Sequence, residues 1–331
     1  MIIARAPFRV SFFGGGTDYP VFYEENGGTV LSTSINKYCY VVCRYLPPFF
    51  DYKYAIQYKR HEETQCIAEI QHPIVRECLN HVCLSNGVGV QYDTDLPAMS
   101  GLGTSSAFTV GLLNALYALK GKVKTKRQLA LDAIYVEQSR VGDNVGSQDQ
   151  TASAFGGFNR IEFGGLQKIV VHPIIMKQDK LETLQNHMLL FFTGFSRNAS
   201  EVAEEQIKQT PAKKRELKRI HEMVSEAITL LDGDDLSDFG RLLHESWMIK
   251  RELTNKITTP AMDDIYEAGL KAGALGGKLL GAGGGGSMLF FAKPELHSNI
   301  KEALSRLTYI PFRFENLGSQ IIYCALENAT E

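Results

Sequence analysis

Neither sign of charge prevails in this chain. Its 331 residues hold 35 Lys and Arg against 37 Asp and Glu, a formal net charge of -2. Gathering nucleic acid or an anionic membrane by charge needs a marked excess of one sign, so both are excluded as partners on that ground. Long apolar runs are missing too; no stretch reaches the roughly 20 residues that cross a bilayer. The six cysteines are scattered and none has a zinc-binding spacing. Cys39 and Cys43 share one face of an apparent strand. The expectation is reduced, structural thiols in a cytoplasmic protein. The first residues, 1–7, lack the basic-then-apolar layout of a secretory leader. There is no internal repeat and no low-complexity segment beyond one glycine run. What is left is a globular composition, 44% hydrophobic and 22% charged, with length for two domains or one large one.

Glycine is plentiful, and it clusters in three places. The first cluster ends a predicted strand: Arg9-Val10-Ser11-Phe12-Phe13-Gly14-Gly15-Gly16-Thr17-Asp18-Tyr19. It reads either as a hairpin with solvated charges or as a grip on a sugar or phosphate. The second is Pro97-Ala98-Met99-Ser100-Gly101-Leu102-Gly103-Thr104-Ser105-Ser106-Ala107, followed at once by apolar residues at helical spacing, Val110, Leu112, Leu113, Leu116 and Leu119. Taken alone, it fits an N-capped helix after a tight turn. It equally fits an anion site, in which free N–H groups, the helix dipole and hydroxyls converge on a phosphate. The third runs from Gly276 to Ser287 between a predicted helix and an apolar strand, which favours a fixed backbone over a flexible linker. Glu137 and Asp149 both fall near loops. Carboxylates near a phosphate loop suit Mg²⁺, a hard cation, although either alone also fits an exposed helix-end charge. From about residue 180 the pattern changes. A buried strand, helices over 198–209, 212–231 and 235–254, a further helix, and then strand, helix and two closing strands predict a separate α+β domain.

In their order, the three glycine blocks resemble the three motifs of the GHMP kinases, the family of galactokinase, homoserine kinase, mevalonate kinase and phosphomevalonate kinase. The resemblance covers nearly the whole chain. With Gly16-Thr17-Asp18-Tyr19 and Gly146-Ser147-Gln148-Asp149-Gln150, it is nearest to the sugar-kinase branch. It implies an α+β fold of two domains. Residues 1–183 would be like the second domain of ribosomal protein S5, with a left-handed βαβ unit, and would bind ATP. Residues 184–331 would be ferredoxin-like. ATP and Mg²⁺ are the implied cofactors. ATP would sit on Pro97, Ser100, Gly101, Leu102, Gly103, Thr104, Ser105 and Ser106. The metal would be held by Ser106 and Glu137, with Ser105 competing for the serine role. Asp149 matches the proton-accepting aspartate, and Arg9 the arginine beside it. Gly16, Thr17, Asp18, Tyr19, Gly146, Ser147, Gly283 and Gly284 match substrate contacts. Galactokinases carry Gly-Glu-His-Thr-Asp where this chain has Gly14-Gly15-Gly16-Thr17-Asp18. The lost Glu and His argue against galactose.

The implied activity is ATP-dependent phosphorylation of the anomeric hydroxyl of D-glycero-D-manno-heptose 7-phosphate, in the making of nucleotide-activated heptose. A fucokinase-like or other sugar 1-kinase is the alternative, and a sugar-sensing protein without turnover is a third reading. A dehydrogenase is set aside, since no first strand leads into a glycine run with an acidic residue about 20 positions on. A distal sugar phosphate needs a cation. Arg197, beside the start of a predicted helix, is the expected anchor, with Arg140 and Lys37 as competitors. A homodimer is the candidate assembly.

Overall fold

The computed structural model describes residues 1–84, 86–166, 168–195 and 199–325. Two long strands form its spine. Strand β1 (Ile2–Phe13) runs antiparallel to β2 (Gly28–Tyr45), from Ile2 opposite Cys43 to Phe13 opposite Leu31. Separate strands are expected over 28–35 and 38–45, but the chain stays extended for 18 residues. A register shift between Pro7 and Phe8 on the partner strand lies opposite the expected break. Proline has no N–H to give the ladder, so pairing slips there without ending.

Six more strands complete this sheet: β3 (Tyr54–Gln57), β4 (His61–Thr64), β5 (Val88–Thr94), β6 (Phe158–Phe163), β7 (Ile169–Pro173) and β12 (Gln320–Cys324), in the order β12-β1-β2-β5-β3-β4 with β6 and β7 extending from β2. β3 and β5 are parallel, and α2 (Pro73–Val82) lies in their connection. Helix α3 (Thr104–Leu119) packs on β1 and β2 and between α2, α4 (Lys126–Tyr135) and α5 (Gln148–Phe155). Neighbours on so many sides explain why its sequence is apolar almost all round instead of amphipathic.

The smaller sheet has the order β11-β8-β10-β9, with every pairing antiparallel. Its strands are β8 (Met188–Phe192), β9 (Gly276–Leu279), β10 (Ser287–Phe291) and β11 (Thr308–Tyr309). Between β8 and β9 come α7 (Ala199–Gln209), α8 (Lys214–Leu230), α9 (Ser237–Arg251) and α10 (Pro260–Lys271), and α11 (His297–Ala303) joins β10 to β11. First strand beside third and fourth is the ferredoxin-like order. A strand is expected over 308–314, but β11 ends at Tyr309, two residues before Pro311. The last strand leaves this sheet altogether and pairs with β1, Ile2 opposite Cys324. The sheets share a core: the Phe239 ring of α9 stands edge-on to Phe13 of β1 at 5.2 Å and to Phe12 at 6.0 Å. Among the described residues no helix is long and apolar enough to cross a membrane.

Candidate active site

β1 carries Arg9 into the junction of the two sheets and stops at Gly14. A Cβ there would lie 2.0 Å from the Thr29 carbonyl oxygen, and φ is +85°, so the turn requires glycine. Thr17 is fully buried. Its hydroxyl is shared between the carbonyls of Gly14 (2.8 Å) and Thr29 (2.9 Å) and accepts from the Thr29 N–H. Thr17 therefore pins the turn and does not line the cleft, a correction to its expected role on the substrate. Asp18 does reach the cleft. The Gly16 N–H donates to its Oδ1 (2.9 Å), and Gly146 passes so close that a Cβ would lie 1.9 Å from Oδ2. Burial pushes its carboxyl pKa up, and the nearby Asp149 charge adds to that. Gly16, Tyr19 and Gly146 line the cleft with it. Ser147 does not; its hydroxyl is held near Gln138 (3.2 Å) and Tyr23 (3.3 Å).

Arg9 and Asp149 meet as a two-pronged ion pair, Nε to Oδ1 at 2.8 Å and the second guanidinium nitrogen to Oδ2 at 2.9 Å. The remaining nitrogen of the fork donates to the Gly101 carbonyl (2.7 Å). Asp149 lies in the first turn of α5, and Gly103, the N-cap of α3, lies against its carboxylate. The expected phosphate loop thus wraps the ion pair. Met99, Gly101, Gly103, Thr104, Ser105 and Ser106 line the cleft. Pro97 is exposed outside it, and Leu102 is buried in the core beneath it. Ser100 is also buried, and its hydroxyl has no hydrogen-bond partner among the described residues.

Ser106 donates to Glu137 (2.8 Å), whose carboxylate also receives Thr109 and Gln150. Ser105 is exposed at the cleft wall, so Ser106 is the serine that meets the glutamate. Glu137 sits in a π-helical turn, Val136–Val141, that continues α4 where an ordinary helix is expected. Such turns redirect side chains and recur at functional sites. Burial drives the Glu137 pKa up to about 7. A hydroxyl and a carboxylate, side by side and buried, are the oxygen donors that Mg²⁺ takes, so these residues fit that metal.

The third glycine run is a fixed backbone. A Cβ on Gly281 would lie 2.9 Å from Gly101 Cα, and one on Gly286 would lie 2.9 Å from the Ser100 carbonyl oxygen. Gly281 and Ala282 line the cleft. Gly283 and Gly284, the expected substrate contacts, turn instead against Ile257: a Cβ on Gly283 would meet its backbone at 2.8 Å, and the Gly284 N–H donates to its carbonyl (2.8 Å).

The competing cations are not in the cleft wall. Arg140 is paired with Glu77 of α2 (2.9 Å), and Lys37 is away from the cleft. Arg197 lies outside the described residues. Two lysines that sequence reasoning did not single out are there instead. Lys278 donates to the Phe12 carbonyl (2.7 Å), and Lys250 of α9 donates to the Gly281 carbonyl (2.6 Å). Burial pulls the Lys278 pKa well below its usual value and brings Lys250 down to about 8. Gln206 of α7 was missed too. Its Nε2, the Gln148 Oε1 and the Ser11 hydroxyl are buried at the cleft without partners among the described residues. Lys278 had a signal, a lysine inside a glycine-and-leucine strand. Lys250 and Gln206 look like ordinary polar positions on amphipathic helices.

The sequence profile of the GHMP kinases N terminal domain matches residues 69–157, and that of GHMP kinases C terminal matches 227–310. A D-glycero-alpha-D-manno-heptose 7-phosphate kinase of Campylobacter jejuni is 28% identical over 92% of this chain and 93% of its own. A Bacteroides fragilis L-fucokinase/L-fucose-1-P guanylyltransferase is 24% identical over 97% of this chain but 38% of its own length. The crystal structure of a D-glycero-D-manno-heptose 1-phosphate kinase from Bacteroides thetaiotaomicron superimposes with a TM-score of 0.79 at 24% identity, covering 98% of this chain and all of that one. Lactococcus lactis galactokinase complexed with galactose does so with a TM-score of 0.74 at 18% identity, over 96% of this chain and 94% of its own. Matched by both halves of one family, in order and together over half its length, this chain belongs to the GHMP kinases.

Proposed function

We propose that this kinase transfers the terminal phosphoryl of ATP to the anomeric hydroxyl of a heptose 7-phosphate. The observation that carries the reading is the two-pronged Arg9–Asp149 pair, set between the N-terminus of α3 and a wall bearing Asp18 and three unpartnered polar groups. Buried donors and acceptors without partners call for a ligand rich in hydroxyls. The near full-length likeness to a heptose 7-phosphate kinase narrows the sugar.

Phosphoryl transfer asks a protein mainly for positioning and charge. Asp149 takes the proton of the attacking sugar hydroxyl. Arg9 holds that carboxylate in place and faces the charge that develops beside it. Asp18 accepts from a second sugar hydroxyl. The first-turn N–H groups of α3 receive the nucleotide phosphates. Ser106 and Glu137 would hold Mg²⁺, which when bound neutralises phosphate charge. Arg197 is the residue we assign to the distal phosphate. It comes just before α7 in the chain, and Ala203 and Gln206 of α7 line the cleft.

A fucokinase-like activity is the second reading, supported by the Bacteroides fragilis relative. ATP consumption over free sugars and over heptose, mannose and sedoheptulose phosphates separates the two. The expected result is turnover of the heptose phosphate far above free fucose. Preference for free sugars would overturn the first reading.

A further inference from the structure

We propose that Lys250 is the cation that meets the terminal phosphoryl of the nucleotide, supplied to the cleft of the larger sheet by a helix of the smaller one. The inference rests on the kinase reading of the cleft but not on the identity of the sugar.

Three cations among the described residues line the cleft: Arg9, Lys250 and Lys278. Arg9 commits Nε and both terminal nitrogens of its fork, two to Asp149 and one to Gly101. Among the described residues Lys278 donates to a single carbonyl, that of Phe12 in β1 and not one in the glycine runs. Lys250 likewise donates once among them, to the Gly281 carbonyl. An ammonium has three N–H donors, so two remain for a ligand. Gly281 packs on Gly101 of the phosphate loop, the residue whose carbonyl also receives Arg9. The charged groups acting on Lys250 come from several elements: Arg9 from β1, Asp18 from the turn after it, Asp149 from α5 and Lys278 from β9. These are the groups around the reacting centre, not a remote end of the substrate pocket. A lysine desolvated there is held at a cost that an incoming phosphoryl anion removes.

The test is direct binding of ADP and of the non-hydrolysable β,γ-imido analogue of ATP, each with Mg²⁺ and without sugar. The proteins are the wild type, Lys250→Met and Lys250→Arg. Loss of a charge-assisted hydrogen bond predicts that Lys250→Met weakens the analogue by about 10- to 100-fold and leaves ADP nearly unchanged. Lys250→Arg should keep most of the analogue's affinity. Wild-type affinity for the analogue should fall above about pH 8, as the free lysine loses its proton, and that fall should be smaller in Lys250→Arg. A loss shared equally by ADP and the analogue would mean that Lys250 only holds the glycine run, and would overturn the proposal. No loss for either nucleotide would also overturn it. A wild type that bound neither nucleotide would overturn the kinase reading of the cleft together with this inference.

Discussion

Taken singly, Asp149 read as either a metal ligand or a helix-end charge and Arg9 as either a ligand grip or a hairpin charge; only the family resemblance set them side by side. The structure adds that they touch, 140 positions apart in the chain. Asp149→Asn should lower turnover by about 10² or more, the scale of losing a positioned base, with ATP affinity little changed. Steady-state kinetics beside a nucleotide titration check this. Glu137 carries a pH prediction. Its folded pKa is raised from 4.5 to about 7, so the folded state holds this proton more tightly than the unfolded chain does. Its contribution to stability is therefore full below about pH 4.5 and is lost as pH rises through about 7, a difference on the order of 3 kcal/mol. With a chelator present, wild-type Tm should fall more steeply than that of Glu137→Gln between about pH 5 and pH 8. Parallel curves would contradict the assignment. In the kinetic Mg²⁺ titration, Glu137→Gln should need more metal. Arg197→Ala should raise the KM for the sugar phosphate by the equivalent of about 1.5–3 kcal/mol and leave that for ATP alone. Lys250 and Gln206 were not legible. A lysine in the last turn of α9 reads as a partner for the helix dipole, and only the tertiary fold turns it inward.

Elements were legible where periodicity was long and missed where another element overrode it. α3 and its glycine loop were plain from the pattern. The unbroken β2 was not, because a strand crosses a local break when its partner supplies the pairing. The π-helical turn at Glu137 has no separate signature in the residues. The glycine runs were visible, but their mutual packing was not, since backbone-to-backbone approach leaves no side chain to read. That packing makes a sharp comparison between two glycines of similar φ. Gly101→Ala would put a Cβ 2.5 Å from the Leu280 carbonyl, whereas Gly121→Ala, at φ +67°, meets nothing within 4 Å. Gly121→Ala should cost only the left-handed backbone term, roughly 1–2 kcal/mol. Gly101→Ala should cost more and should also weaken nucleotide binding. Tm and nucleotide affinity, measured on both variants, check it. Equal losses would mean that the two runs do not hold each other.

At the scale of the whole molecule, the order of elements pointed to a separate α+β domain after about residue 180; the second sheet lies there, and its core is shared with the first. The return of β12 to β1 was not legible, because a short strand near the chain end carries no mark of which sheet it joins. The cleft depends on that joint architecture: β1 and α3 bring the ion pair and the phosphate loop, while α7, α9 and the third glycine run close the other side. A site assembled in this way from both sheets should act only on a sugar that fits between them. The most direct test incubates the protein with ATP, Mg²⁺ and D-glycero-D-manno-heptose 7-phosphate and follows the sugar by phosphorus NMR. The account predicts a second sugar phosphate signal coupled to the anomeric proton, formed in step with ADP and lost in Asp149→Asn. A new phosphate on any other carbon, or ADP formed with no sugar bisphosphate, would contradict it.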